Sequence, residues 1–198
     1  MLSEHLVYSA AIAIIAGMLW YRATGRDHSW IIVACAFAPD LDKIADGIIS
    51  RAGFTLLFES HTIHHGTFHH VTMMLIFAII VAFLLHPFGI PFIDSLIFSG
   101  TGFGAHLFED ALVYPDSYMY LWPFTSEKLG LGWLPWVLSE ESYNGNFFRI
   151  ANTEVLLIGL VILAAAIIIR TRVEGSDWVR WYMPAHLYRK LKISSIRL

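Results

Sequence analysis

Five apolar stretches, each able or nearly able to cross a bilayer, decide what this 198-residue chain can fold into. A spanning helix needs around 20 residues. The stretches run from about Leu6 to Tyr21, from Trp30 through Pro39 toward Ile49, from Val71 to Leu85, from Phe88 to Phe108, and from Ile150 to Ile169. Only 15% of the residues are charged and 57% are hydrophobic, and the mean hydropathy is +0.60. Soluble domains carry roughly a quarter of their residues as charges. The expected fold is therefore all-α: a polytopic membrane helix bundle with about five transmembrane helices. No linker, repeat or low-complexity tract divides the chain. It is read as one membrane-embedded domain, residues 1–170, with a basic cytoplasmic tail, 171–198.

The ends of the chain add little. Glu4 and His5 stand where a secretory signal would carry basic residues, so the first segment is read as a retained helix. The lone Cys35 offers no disulfide framework.

Lys and Arg set the orientation. Arg170, Arg172, Arg180, Arg189, Lys190, Lys192 and Arg197 follow the last stretch and make up more than half of the 13 basic residues. Basic flanks favour the cytoplasmic side, which puts the C-terminus in. Counting back through five spans puts residues 111–149 out, 85–91 in, 54–70 out, the turn holding Arg22 and Arg26 in, and the N-terminus out. The segment 111–149 also carries Tyr114, Tyr118, Tyr120, Trp122, Phe124, Trp133 and Trp136, rings that suit a membrane–water interface.

That map brings ionisable residues from four segments to one depth. His5 starts the first helix, Asp40 and Asp42 lie in the outer part of the second, His64 and His69 precede the third, and His106 and Asp110 close the fourth. At about 1.5 Å per residue, each lies roughly 20–30 Å from the inner turn of its helix. Such groups beside hydrocarbon are costly, so their convergence points to a site. His106 and Asp110 are four apart and share a helix face. Pro39 discourages helical geometry at Ala38, so a local break would turn Asp40 and Asp42 inward. Residues 61–70 hold five histidines, with Gly66 free to turn the backbone between His64 and His69. Imidazole and carboxylate without thiolate suit Zn²⁺, Mn²⁺ or Fe²⁺. Seven ligands exceed one closed zinc site, so two divalent ions are expected, able to activate a shared water for phosphoryl chemistry. Glu154 is a further candidate, as a ligand or as an acceptor behind a ligating histidine, with Asn152 beside it.

Each piece also has a plainer explanation. A His–x3–Asp pair can be structural, Pro-Asp-Leu-Asp can cap a helix, and a histidine run can be a metal-free polar loop. His28, His86 and His186 fall on the other side and are taken as surface or interface residues, Met73 and Met74 as core or lipid-facing. Asp94 has no partner identifiable from sequence.

The order His5, Pro39-Asp40-Leu41-Asp42, His64-His65-Gly66-Thr67-Phe68-His69 and Gly102-x3-His106-x3-Asp110 resembles the YdjM-like family of membrane-bound metal-dependent hydrolases, as does Leu121-Trp122-Pro123-Phe124. The likeness covers roughly residues 5–124. His65 stands where that family usually carries Arg, whose guanidinium would hold a phosphate oxygen bidentately. Phe68, His70 and Ala105 stand where it often carries Ser or Thr. The family is distantly similar to zinc-dependent phospholipases C. The resemblance implies an integral-membrane hydrolase, acting on phosphoester bonds of a membrane lipid or lipid-linked phosphate, with no nucleic-acid partner. Two ions, zinc by expectation, would be held by His5, Asp40, Asp42, His64, His69, His106 and Asp110. His61 or His65 would protonate the departing oxygen or orient the phosphate, and the aromatic loop would shield the site and grip acyl chains.

Other functions use the same residues. A divalent metal transporter would place its site nearer the bilayer midplane, a haem protein would not need the acids, and a metal-fastened scaffold would leave no open coordination position. An intramembrane metalloprotease lacks its His-Glu-x-x-His.

Overall fold

The computed structural model describes residues 2–45, 66–132 and 153–183, and the helices there follow the apolar pattern closely. They are α1 (Leu2–Thr24), α2 (Trp30–Ala34), α3 (Val71–Leu85), α4 (Phe92–Val113) and α5 (Thr153–Glu174), with 3₁₀ segments at His86–Phe88 and Ser176–Tyr182. No strand occurs among the described residues; Tyr118 and Leu129 form an isolated antiparallel bridge. Among the described residues, three helices are long and apolar enough to cross a membrane: Ser3–Thr24, Val71–Phe88 and Val155–Glu174. α4 has comparable length but carries Asp94, Glu109 and Asp110. The second apolar stretch is broken, as Pro39 requires: α2 stops at Ala34, turns fill 35–40, and helix resumes at 41–45.

Pairwise contacts fix how the helices run. His5 meets Glu109 and Trp20 meets Phe98, so α1 and α4 are antiparallel. Phe77 against Phe103 and Phe83 against Phe92 make α3 antiparallel to α4. Tyr8 donates to the Val155 carbonyl while Arg170 reaches the Ile14 carbonyl, so α5 runs parallel to α1. α2 lies along α4, where a side chain on Gly102 would put Cβ 2.5 Å from the Ile32 carbonyl oxygen. Only glycine permits that approach, and it sits one turn before His106.

Polar and apolar positions are arranged for lipid. Leu75, Ile79, Phe83, Leu157, Val161 and Ile168 are exposed, while Asp42, Asp94, His69, His106, Asp110 and Arg170 are buried. A water-soluble bundle shows the reverse. Met73 and Met74 pack with Phe103 and Leu107, so they belong to the core.

The two ends of the bundle differ in chemistry. At the end holding the start of α4, Arg26 forks onto Asp94 through Nε and a second nitrogen, each at 3.1 Å, and His28 joins at 2.9 Å. Asp94 thus has partners some 68 positions earlier in the chain, and His28, read as an ordinary surface residue, is half-buried and tied to it. Beside them the buried Arg170 donates to Asp27 at 2.6 Å and to Glu174 at 3.0 Å. Its guanidinium also lies 5.1 Å from the centre of the Trp178 ring. His5, His69 and His106 gather with Asp40, Asp42, Glu109 and Asp110 at the opposite end.

Candidate metal centre

His5, His69, His106, Asp40, Asp42 and Asp110 come together and are all buried. α1 delivers His5 on its first turn. α4 delivers His106 and Asp110 on its last two turns, on one face because they are four apart. The break after Ala34 brings Asp40 and Asp42 inward. The turn 66–68 brings His69 down just before α3.

Gly66 makes that turn possible. It sits at φ +100°, and a Cβ there would lie 2.8 Å from two carbons of the Tyr118 ring. Its N–H donates to Asp42 Oδ2 at 2.8 Å, and Phe68 N–H reaches the same oxygen at 3.4 Å. Asp42 therefore anchors the turn that carries His69. The loop after α4 closes over it. Val71 N–H donates to the Tyr120 carbonyl at 2.8 Å, Thr72 donates to the Trp122 carbonyl at 2.7 Å, and Tyr118 stacks on His69 with ring centres 4.4 Å apart.

The three imidazoles share one arrangement. Each Nδ1 faces an oxygen of its own: Glu109 Oε2 at 2.5 Å for His5, Asp42 Oδ2 at 3.3 Å for His69, and the Ala36 carbonyl at 2.7 Å for His106. Each Nε2 faces Asp110, at 3.8 Å from His5, 3.4 Å from His69 and 3.5 Å from His106. A carbonyl only accepts, so His106 donates from Nδ1, and Nε2 is the nitrogen left for a ligand. Ligating histidines are held in this way, with one nitrogen on the ion and the other on an oxygen acceptor.

The spacing fits a cation. Ligands about 2.0–2.2 Å from a tetrahedral ion stand roughly 3.3 Å from one another. The Nε2-to-Asp110 separations lie near that value and beyond ordinary hydrogen-bond length. Donor atoms of His5, His106 and Asp110 lie within 4.8 Å of one another, as do those of Asp40, His69 and His106. Both groups use His106, and with its Nδ1 engaged that ring has one lone pair to give. The groups are therefore alternatives at His106, whereas Asp110, with two oxygens, is able to bridge two ions. Asp40 also meets Lys43 at 2.9 Å, so one of its oxygens already has a cationic neighbour.

Electrostatics agree with a cation-seeking pocket. Burial alone would push the His69 imidazolium down, but Asp110 and Asp42 outweigh it and raise its pKa to about 9. Tyr118 is held neutral mainly by burial, with the Asp110 charge adding to the effect.

His61, His64 and His65 lie outside the described residues. Glu154 is in the first turn of α5, and its side chain is likewise outside what is described. His70, within the histidine run, accepts the Met73 N–H at 3.1 Å and caps α3. Glu109 and Tyr118 were not singled out as site residues from sequence. Glu109, three residues after His106, lies on the flank of the His106–Asp110 stripe, and that spacing is the signal that could have found it; Tyr118 is one ring among many in an aromatic segment.

The fold and this cluster define a class: a helical membrane protein with a buried histidine–carboxylate centre at one end of the bundle. The chain belongs to the YdjM inner membrane protein family, which it matches over residues 1–185. No curated protein and no solved structure matches it.

Proposed function

We propose that the protein is an integral-membrane metal-dependent hydrolase acting on phosphoester bonds of lipids or lipid-linked phosphates. Membership of an inner membrane family supports the location. The observation that carries the proposal is the convergence of three imidazole Nε2 atoms on Asp110, with a different oxygen facing each Nδ1. His5, His69, His106, Asp110 and Asp40 would hold the ions, with His64 completing the set. Two zinc ions are proposed, with manganese or iron as alternatives. When bound, such ions supply Lewis acidity and lower the pKa of a water.

The chain's own residues do the rest. Asp42 fixes the turn that presents His69. Tyr118 covers one face of the His69 ring and keeps bulk water from it. Exposed Trp122 and Phe124 extend from the same loop and suit acyl chains. His61 and His65 are the proposed proton donor and phosphate contact. The bundle is proposed to have five spans with the N-terminus out, since Arg26 and Arg170 sit at the end opposite His5, His69 and His106; the site would then meet the extracytoplasmic headgroups.

A second reading, a metal-fastened scaffold, is favoured by how deeply the cluster is buried: His69 and Asp42 are 0% exposed. A screen of lipid phosphoesters with and without chelator separates the two. Chelator-sensitive hydrolysis, absent from a His106→Ala, Asp110→Ala double variant, is the expected outcome. Full hydrolysis by the double variant would rule the centre out as the site of reaction.

A further inference from the structure

We propose that Glu109 is a positioning residue for this centre, accepting the Nδ1 proton of His5 in a hydrogen bond so that the Nε2 lone pair faces Asp110. The inference rests on the metal-binding reading above and assigns a role to a carboxylate outside the ligand set.

The plane of the His5 ring is already fixed. It stacks on His106 with centres 4.0 Å apart and planes 16° from parallel. Stacking leaves two orientations, related by a half-turn of the ring that exchanges its nitrogen and carbon edges. Glu109 selects between them. Its Oε2 lies 2.5 Å from Nδ1, which turns Nε2 toward Asp110 at 3.8 Å. When Nε2 ligates a cation, the ring proton resides on Nδ1, where the carboxylate accepts it. In that metal-bound state an ionised Glu109 would also raise the basicity of the opposite nitrogen.

A purely mechanical role explains less. Aromatic packing of Trp20 on Phe98 already holds α1 against α4. A buried acid held by one contact is a poor fastener, because burying its polar oxygens offsets much of what that contact returns. Glu109 Oε1 has no hydrogen-bond partner among the described residues, so much of that cost stands uncompensated. His106 shows the same bracing by the Ala36 carbonyl, and His69 Nδ1 faces Asp42 at 3.3 Å. Of the three acceptors, Glu109 alone shares a helix with the Asp110 that its histidine faces, one position earlier.

The test is Zn²⁺ affinity of the purified full-length protein in detergent, measured against a chromophoric chelator. Wild type, Glu109→Gln, Glu109→Ala, His5→Ala and the His5→Ala, Glu109→Ala double variant are compared. Loss of an outer acceptor of this kind weakens metal binding about 10–100-fold. That loss is expected for Glu109→Ala, with a smaller but clear loss for the isosteric Glu109→Gln, which keeps the fold should the alanine variant not. In the His5→Ala background, removing Glu109 is expected to change affinity no further. Unchanged affinity in Glu109→Gln, or an undiminished loss in the His5→Ala background, overturns the role of Glu109 while leaving the metal centre standing. A wild-type protein that binds no Zn²⁺ overturns both.

Discussion

Replacing Asp27 by Ala strands a guanidinium inside the bundle. Arg170 and Asp27 are both 0% exposed and meet at 2.6 Å. Asp27 also accepts the Ser29 N–H at 2.8 Å, holding the turn between α1 and α2. Removing one partner of a buried pair costs about 3–5 kcal/mol, because the other charge stays desolvated. Arg170 keeps Glu174 at 3.0 Å and the Ile14 carbonyl at 3.2 Å, so the low end, about 3 kcal/mol, is expected. For a chain of this size about 1 kcal/mol moves Tm by roughly 2–4 °C, giving a fall of roughly 6–12 °C. Thermal unfolding in detergent, followed by circular dichroism, reads this directly. Adding Arg170→Met to Asp27→Ala should recover part of the loss, since the buried guanidinium is removed while Glu174 loses its partner. A fall below about 2 °C for Asp27→Ala alone would show that Arg170 is not sealed from water, and the reasoning would fail.

Gly66→Ala should lower stability by about 1–3 kcal/mol, since φ +100° is strained for any side chain and the new Cβ meets the Tyr118 ring at 2.8 Å. The same variant should bind Zn²⁺ more weakly, because Gly66 N–H orients Asp42; unfolding and chelator competition check both effects. Zn²⁺ affinity should fall by at least about tenfold from pH 7 to pH 5, because ligating imidazoles must be neutral and protons compete for His69 at any pH below its raised value of about 9. A flat profile over that range would count against imidazole ligation.

Much of this arrangement is visible in the chain before any coordinates. The third apolar stretch and α3 coincide from Val71 to Leu85, because an uninterrupted apolar run has no alternative in lipid. The first and last stretches become helices that outrun their apolar limits, α1 to Thr24 and α5 to Glu174, since a helix continues through the polar interface. The break at Pro39 and the shared face of His106 and Asp110 follow from local geometry, and the structure has both. Partnerships set by tertiary packing were not readable. Asp94 pairs with a turn two helices away, and Asp27 finds Arg170 from 143 positions along the chain. Helical periodicity puts Glu109 on the flank of the His106–Asp110 stripe, and α1 packs against that flank and makes it part of the centre. Tyr118 and Tyr120, assigned by composition to the interface, turn inward because backbone hydrogen bonds lace their loop to α3. By contrast, Trp122 and Phe124 remain exposed.

The metal content of protein purified without chelator is the most direct measurement. Mass spectrometry of the native protein and elemental analysis should find two divalent ions per chain, and both should be lost when His106 and Asp110 are replaced together. A wild-type chain carrying none, or a double variant that keeps its full complement, would contradict a centre built on those residues.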